Sequence, residues 1–260
     1  MSTSLVSTGI ISPSTTNLIQ DDFDSAIGNQ TIGVNPNDID ADCVTLVGVA
    51  IDASGSMAPH KQDIINSYNT QFLASLKKAK NANEIFVSTM FFNDRGLSVK
   101  DKTTVLHGYM SVADCPDLKD SDFVTDGMTP LNDGVFQTMS RVVKYGESLL
   151  STGARVRSIV VVFSDGAENA SSVAAYKVKA MSEDLLKAQE FILSYVYFGD
   201  QNEAEKIINK IGFPKKDMIT ANQTGSDIRR MFGTVSASVI SASQSQISSS
   251  GTSCNFFAAR

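Results

Sequence analysis

Residues 44–56 read VTLVGVAIDASGS, and this stretch decides how the rest of the chain is interpreted. Residues 44–51 are almost all apolar, which is typical of a strand covered on both faces in a parallel sheet. The run ends at Asp52, and Gly55 permits a tight turn directly after it. We therefore predict a central strand whose carboxyl end presents polar side chains.

The pattern around this strand predicts an alternation of strands and helices. Further apolar runs predict strands at residues 85–92, 158–163, 191–198 and 218–221. Apolar residues at three- and four-residue intervals predict helices from Ile64 through roughly residue 80, from Pro130, near 172–190, near 202–211 and from about 226. Residues 103–110 follow a short polar break and predict an antiparallel edge strand. The fold class is therefore α/β, a single doubly wound, mostly parallel open sheet with one antiparallel edge strand.

The two ends of the chain differ from this core. Residues 1–42 contain no Glu, Lys or Arg, but they hold six aspartates: Asp21, Asp22, Asp24, Asp38, Asp40 and Asp42. We predict an acidic, polar and solvated N-terminal arm over 1–42, a sheet domain over 43–240 and a Ser-rich tail over 241–260. Phe256-Phe257 near the end are interpreted either as a docking plug or as part of a disordered terminus.

The composition of the chain indicates which binding partners and which cellular location to expect. The 260 residues carry a net charge of -6, whereas nucleic-acid binders usually carry a basic surplus, so DNA and RNA are not expected partners. No window approaches the roughly 20 apolar residues that a membrane span needs. Three scattered cysteines are too few for a disulfide framework, which favours a cytoplasmic location.

Five oxygen-bearing side chains are expected to meet at one edge of the sheet, because open α/β folds bind ligands at the carboxyl ends of strands. Asp52, Ser54 and Ser56 alternate through the turn after the first strand. Asp165 ends a later predicted strand, and Thr129 precedes a predicted helix. These are hard oxygen ligands, which suit Mg²⁺ or, alternatively, Mn²⁺. The sequence therefore predicts a divalent metal site at these five residues.

Two neighbouring motifs have simpler interpretations. Thr129 is a good helix N-cap, and Pro130 suits the first helical position because its missing N–H would be unpaired there. Glu168 and Asn169 follow the predicted ligand Asp165. We interpret them as exposed loop residues rather than as groups that support the ligands or select a partner.

The five predicted ligands match a known pattern. The sequence resembles the von Willebrand factor type A (VWA) domain with an intact metal-ion-dependent adhesion site, over about residues 43–240. The matching motifs are DASGS, with Asp52, Ser54 and Ser56, then Thr129, then Asp165 followed by Gly. The resemblance implies that Ser54 and Ser56 contact the metal directly. It also implies that Thr129 does so directly or through water, and that both aspartates act through waters.

The resemblance also suggests a setting and a role. The phrases GMTPL at 127–131 and SDGAEN at 164–169 look more like the intracellular bacterial branch than like animal adhesion receptors. The implied function is a non-catalytic, metal-dependent protein-binding module with a Rossmann-like fold. In such a module an exposed Asp or Glu of a partner protein completes the metal site. Intracellular relatives commonly work in stress or defence assemblies or beside ATPases, kinases and phosphatases.

Two other function classes compete with the binding module. A metal-dependent phosphoryl hydrolase could use the same strand-end site. However, Ser54 stands where an aspartyl-nucleophile phosphatase would carry a second Asp, and the GxxxxGK[ST] and GxSxG motifs are absent. His60 and His107 have no companion at ligand spacing and are interpreted as surface or capping residues rather than bases. A dinucleotide binder is excluded because no G-x-G-x-x-G follows a strand. We therefore predict that the protein is not an enzyme.

Overall fold

A computed structural model describes residues 11–20, 32–96, 102–166, 168–188, 190–245 and 255–258. In this part of the chain, six strands form one sheet in the order β3-β2-β1-β4-β5-β6. The strands are β1 (Cys43–Asp52), β2 (Ile85–Phe92), β3 (Thr103–Ser111), β4 (Arg155–Ser164), β5 (Phe191–Phe198) and β6 (Met218–Ala221). β2 and β3 pair antiparallel, and the other neighbours pair parallel. The predicted fold class is confirmed.

The sheet topology places a candidate ligand site at the centre of the sheet. β1 lies between β2 and β4, with Asp52 beside Phe92 and Ile51 beside Phe163. The chain builds outward from β1 on one side and then crosses to β4 on the other. The carboxyl ends of β1 and β4 therefore form the topological switch point, where open α/β sheets bind their ligands.

Helices cover both faces of the sheet. They are α1 (Pro13–Leu18), α2 (Lys61–Ser67 and Ala74–Lys77, joined by π-helical Tyr68–Leu73), α3 (Leu131–Leu150), α4 (Ala175–Leu185), α5 (Gln201–Ile211) and α6 (Gly225–Gln244). Buried residues of α3, α4 and α5 share one hydrophobic cluster, and those of α2 and α6 share the other. No helix in the described ranges is long and apolar enough to cross a membrane.

The predicted helix at 172–190 is shorter in the structure. It begins at Ala175, because the residues before it bond to another element. Ser172 N–H and Val173 N–H donate to the Asp133 carboxylate of α3, at 2.9 and 2.7 Å. These residues therefore form a loop docked on α3.

Part of the N-terminal segment packs against the core, which the prediction of a solvated arm did not include, although most of its described residues stay at least partly exposed. Ile11 and Ile19, on either side of α1, are both 3% exposed. Asp184 of α4 accepts hydrogen bonds from Ser12 N–H at 2.7 Å and from Thr15 Oγ1 at 2.6 Å. The segment is polar in composition, but Ile11 and Ile19 join the hydrophobic cluster of α3, α4 and α5, whereas Val34 is 40% exposed. Of the six aspartates, Asp21, Asp22 and Asp24 lie outside the described residues.

A second part of this segment lies against the edge of the sheet. Val34 N–H donates to the Tyr109 carbonyl of β3, and Tyr109 N–H donates to the Ile32 carbonyl, both at 2.8 Å. Gly33 fits against the stacked rings of Tyr109 and Tyr145, where a side-chain carbon would lie 2.5 Å from the Tyr145 ring. Residues 32–34 therefore cover part of the β3 edge.

The C-terminal segment also returns to the core. Phe256 and Phe257 are 5% and 2% exposed and join the cluster of α2 and α6. Phe256 N–H donates to Asp217 Oδ1 at 2.8 Å. Disorder at this pair is therefore the wrong alternative. α6 continues to Gln244, beyond the predicted domain end, and residues 246–254 of the Ser-rich tail lie outside the described residues.

Candidate metal centre

Asp52 is the innermost residue of the candidate site. It ends β1 and is fully buried. Its Oδ1 accepts a hydrogen bond from Ser54 N–H at 2.8 Å, and its Oδ2 accepts one from Ser164 Oγ at 2.6 Å. Burial raises the pKa of Asp52 to about 6, opposed by those hydrogen bonds and assisted by the nearby Asp165 charge.

Ser54 and Ser56 connect the end of β1 to the end of β4. Their hydroxyl oxygens lie 3.1 Å apart, and Ser56 Oγ donates to Asp165 Oδ1 at 2.7 Å. Gln223 Nε2 donates to the other oxygen of Asp165 at 3.3 Å. Because Ser56 directs its proton to Asp165, Ser54 must donate in the contact between the two hydroxyls, which leaves one lone pair of Ser56 for a further partner. Ser54 is buried and Ser56 is exposed, so the pair runs from the interior to the surface.

Thr129 completes the predicted set. It is 4% exposed and lies just before α3. Its hydroxyl and the Asp52 carboxylate both lie beside Gly166: a side-chain carbon on Gly166 would lie 3.2 Å from Thr129 Oγ1 and 3.8 Å from Asp52 Oδ2. The structure therefore brings all five predicted residues together at the ends of β1 and β4 and the start of α3.

Thr129 is not the N-cap of α3, so that prediction is wrong. The helix begins at Leu131, and Pro130 occupies the cap position without a side-chain bond. The first helical N–H groups bond instead to the loop after β4. Asn132 N–H donates to Glu168 Oε2 at 2.8 Å, and Asp133 N–H donates to Ser171 Oγ at 3.1 Å. Because other residues cap the helix, Thr129 is not needed for that role.

The backbone beside Thr129 is fixed by close contacts. Asp94 and Met128 exchange two backbone hydrogen bonds of 2.9 Å, and Gly55 N–H donates to the Gly127 carbonyl at 3.0 Å. Gly127 has φ +75°, and a side-chain carbon there would lie 2.0 Å from the Asp94 carbonyl oxygen. Glycine is therefore required for this approach.

The chemistry of the five side chains fits a small, hard divalent cation. The described residues contain no group of three or more His, Cys, Asp and Glu side chains that could hold a metal, so a metal here must use hydroxyl ligands. Three hydroxyls and two neighbouring carboxylates supply oxygen donors alone, as Mg²⁺ prefers. Burial raises the pKa of Asp52 more than its hydrogen bonds lower it, so a cation beside this carboxylate would stabilise its charged form.

Of the two histidines, His60 has the predicted capping position, at the N-cap of α2 without a side-chain bond, whereas His107 differs from its prediction. Partial burial raises the pKa of Asp165, while the Ser56 hydrogen bond and the charge of His60 act to lower it. His60 therefore lies close enough to Asp165 for its charge to act on that carboxyl. His107 is 7% exposed on β3 rather than on the surface, and burial lowers its pKa.

Comparisons with known proteins agree with this architecture. No family model and no curated protein sequence matches the chain. Solved structures do match it. They include the pilus adhesin SpaC of Lactobacillus rhamnosus GG in its open conformation, with a TM-score of 0.60 and 11% identity over 78% of this chain. The PilB minor pilin of Streptococcus sanguinis matches with a TM-score of 0.55 and 11% identity over 78% of this chain.

A third structure is itself a vWF domain. It belongs to the type V pili tip protein Mfa5 of Porphyromonas gingivalis, and 80% of this chain covers 99% of it with a TM-score of 0.51. The chain has a VWA-like fold. Because this chain and the Mfa5 domain share 10% sequence identity, the similarity shows a common fold and carries no statement about function. This chain spans 30% of the SpaC chain and 63% of the PilB chain.

Sequence reasoning missed Ser164 and Gln223 at the candidate site, and it interpreted Glu168 and Asn169 only as exposed loop residues. Ser164 and Gln223 hold the two aspartates, and Glu168 and Asn169 hold the start of α3 and Thr129. Ser164, Glu168 and Asn169 stand within four residues of Asp165 in the sequence, and that proximity was the available signal. Gln223 comes from the loop after β6, and nothing in the sequence marks it.

Proposed function

We propose that this protein is a non-catalytic, metal-dependent protein-binding module. The proposed ion is Mg²⁺, with Mn²⁺ as the alternative, held by Asp52, Ser54, Ser56, Thr129 and Asp165. An Asp or Glu of a partner protein would complete its coordination. The observation that carries this proposal is the convergence of five oxygen-bearing side chains at the switch point between β1 and β4.

The hydrogen bonds indicate which of the proposed ligands contact the ion directly and which act through water. Both oxygens of Asp52 already accept a hydrogen bond, and so do both oxygens of Asp165. This favours the hydroxyls of Ser54, Ser56 and Thr129 as the groups that hold the ion directly, with the carboxylates acting through water. When bound, the ion would supply a positive field that neutral ligands leave uncompensated.

That field explains the expected partner. A carboxylate forms a charge-assisted contact with a cation, and the contact is stronger in a partly desolvated site than in water. A neutral Asn or Gln would lack the charge. Ser56 lies exposed at the mouth of the site, so a partner can reach it there. We expect the surrounding residues, at 57–60, 127–128 and 166–169, to select the partner.

The cellular setting belongs to the same proposal. From the sequence and its family resemblance we propose a cytoplasmic location and a role in an intracellular stress, defence, ATPase-associated or kinase-associated assembly. The proposed partner is a protein and neither nucleic acid nor membrane. The three similar structures named above come from pilus proteins, among them an adhesin, and they suggest a binding role without indicating this compartment.

The proposal is tested by affinity capture from the host with the full chain immobilised. Bound proteins should be retained in Mg²⁺, released by EDTA and absent from columns of Asp52→Ala and Thr129→Ala. Capture that is unchanged in EDTA and in both variants would show that binding uses another surface. Calorimetric titration of the wild type and both variants with Mg²⁺ then shows whether a variant fails to bind the partner because it no longer binds the metal or because its partner-binding surface has changed.

One observation favours the alternative of a metal-dependent phosphoryl hydrolase. His60 lies close enough to Asp165 to influence its pKa, and histidine is a common general base. We expect no turnover of p-nitrophenyl phosphate or ATP in Mg²⁺ or Mn²⁺. Turnover that is lost in both Asp52→Ala and His60→Ala would replace the binding-module proposal with the hydrolase.

A further inference from the structure

Asn169 holds the backbone of Thr129 from both sides. Thr129 N–H donates to Asn169 Oδ1 at 2.8 Å, and Asn169 N–H donates to the Thr129 carbonyl at 3.2 Å. Asn169 comes from the loop after β4, whereas Thr129 precedes α3. This pair therefore joins the segment that carries Asp165 to the segment that carries Thr129.

The loop that presents Asn169 is itself anchored. Glu168 Oε1 accepts from Ala170 N–H at 2.9 Å and from Ser171 N–H at 2.6 Å. Its Oε2 accepts from Asn132 N–H, the second residue of α3, at 2.8 Å. A negative charge at a helix N-terminus is favourable. Glu168 thus fixes the loop on α3 and places the adjacent Asn169 at a defined position.

Lys102 adds a further contact to the same loop. Its Nζ donates to Ser172 Oγ at 3.1 Å and lies 3.4 Å from the Asp94 carboxylate. Asp94 in turn pairs with Met128, next to Thr129. The loop after β4 is therefore connected to the chain on both sides of Thr129, to Met128 through Lys102 and Asp94 and to α3 through Glu168.

We propose that Asn169 is a positioning residue for the metal site, which it serves by holding the Thr129 backbone so that the Thr129 hydroxyl faces Asp52. This proposal rests on the proposed metal site. Partners of metal ligands commonly change metal affinity about 10- to 100-fold when they are removed. Asn169 is exposed, so its side chain can be shortened without opening the core.

The test is calorimetric titration of the full chain with Mg²⁺, comparing the wild type with three variants. Asn169→Ala removes the acceptor for Thr129 N–H and should weaken Mg²⁺ binding about tenfold or more. Asn169→Asp keeps an acceptor oxygen and should bind at least as tightly as the wild type. Asn209→Ala, an exposed asparagine near the far end of α5, is the matched control and should leave the affinity unchanged.

Thermal unfolding in EDTA completes the test. Asn169→Ala should remain folded, with a cooperative transition, so that its weaker Mg²⁺ binding reports on the site. Unchanged affinity in Asn169→Ala, while the wild type binds, would overturn the positioning role and leave the proposed function standing. Equal weakening in Asn169→Ala and Asn169→Asp would also overturn it. A wild type that does not bind Mg²⁺ would overturn both.

Discussion

Ser164 Oγ donates a 2.6 Å hydrogen bond to Oδ2 of Asp52. Both residues are fully buried, at the ends of the adjacent strands β4 and β1. Because Ser54 N–H holds the other oxygen, the orientation of the Asp52 carboxylate is set within the fold itself. The Asp52 carboxylate is therefore oriented before any metal binds. Burying its charge without a metal lowers the stability of the metal-free protein.

Ser164→Ala should destabilise the metal-free protein by about 1–3 kcal/mol, because a buried carboxylate loses a hydrogen-bond donor. Urea unfolding in EDTA measures this loss. Ser194→Ala is the control: Ser194 is equally buried, but its Oγ donates to the neutral Val160 carbonyl at 2.9 Å. We expect a loss of about 1 kcal/mol there. Equal losses in the two variants would contradict a special role for the Ser164 contact.

Asp52→Asn should stabilise the metal-free protein while abolishing Mg²⁺ binding. The pKa of Asp52 is raised to about 6, so the folded state binds a proton more tightly than the unfolded state. At pH 7 the ionised carboxylate therefore opposes folding by about 1–3 kcal/mol, and this cost disappears as the pH falls through 6 toward 4. The check is urea unfolding in EDTA at pH 7 and pH 5. A variant less stable than the wild type at pH 7 would argue against this account.

The fold was predictable because its strands are nearly continuous apolar runs. The strand predicted at 218–221, for example, has the bounds observed for β6, and residues 85–92 form β2. The five site residues were predictable for a related reason, since parallel strands bring their carboxyl ends to one edge.

Other features depend on contacts between distant parts of the chain. Thr129 resembled a helix cap, but the bond to the helix comes from Glu168, which lies 36 residues beyond Asn132. The N-terminal segment resembled a solvated arm, but Thr15 bonds to Asp184, 169 residues away. Composition and periodicity indicate the local secondary structure that a segment prefers. Neither indicates which residue, distant in the sequence, will accept a hydrogen bond from a particular N–H or hydroxyl group.

Asp184→Ala should detach the N-terminal segment around α1 and lower the free energy of unfolding by about 1–3 kcal/mol. Burial alone would raise the pKa of Asp184, but hydrogen bonds from Thr15 and Ser12 lower it overall. The stabilisation should therefore be complete above about pH 4 and be lost as the pH falls further. Urea unfolding at several pH values measures it.

Limited proteolysis gives a second readout of the same contact. Cleavage near α1 should be faster in Asp184→Ala than in the wild type. Glu183→Ala is the control, because Glu183 is the neighbouring residue and its side chain is 60% exposed. If Asp184→Ala and Glu183→Ala behave alike, the contact between α1 and α4 does not hold the segment.

Gly127→Ala should destabilise the protein by about 2 kcal/mol or more and weaken Mg²⁺ binding, because Thr129 follows two residues later. Its side-chain carbon would lie 2.0 Å from the Asp94 carbonyl oxygen. Gly153→Ala isolates this effect: Gly153 also has a positive φ, but a side-chain carbon there meets nothing within 4 Å. Calorimetry with Mg²⁺ and urea unfolding test both variants. A Gly127→Ala protein that matches Gly153→Ala in both would contradict the close approach.

The most direct test of the central claim is the anomalous diffraction of crystals soaked in Mn²⁺. We predict one strong peak between Ser54 Oγ, Ser56 Oγ and Thr129 Oγ1, near the carboxylates of Asp52 and Asp165, and no such peak in crystals of Asp52→Ala. A wild-type map without density at this position, under conditions in which Mn²⁺ reaches the crystal interior, would contradict the metal centre and the binding function proposed from it.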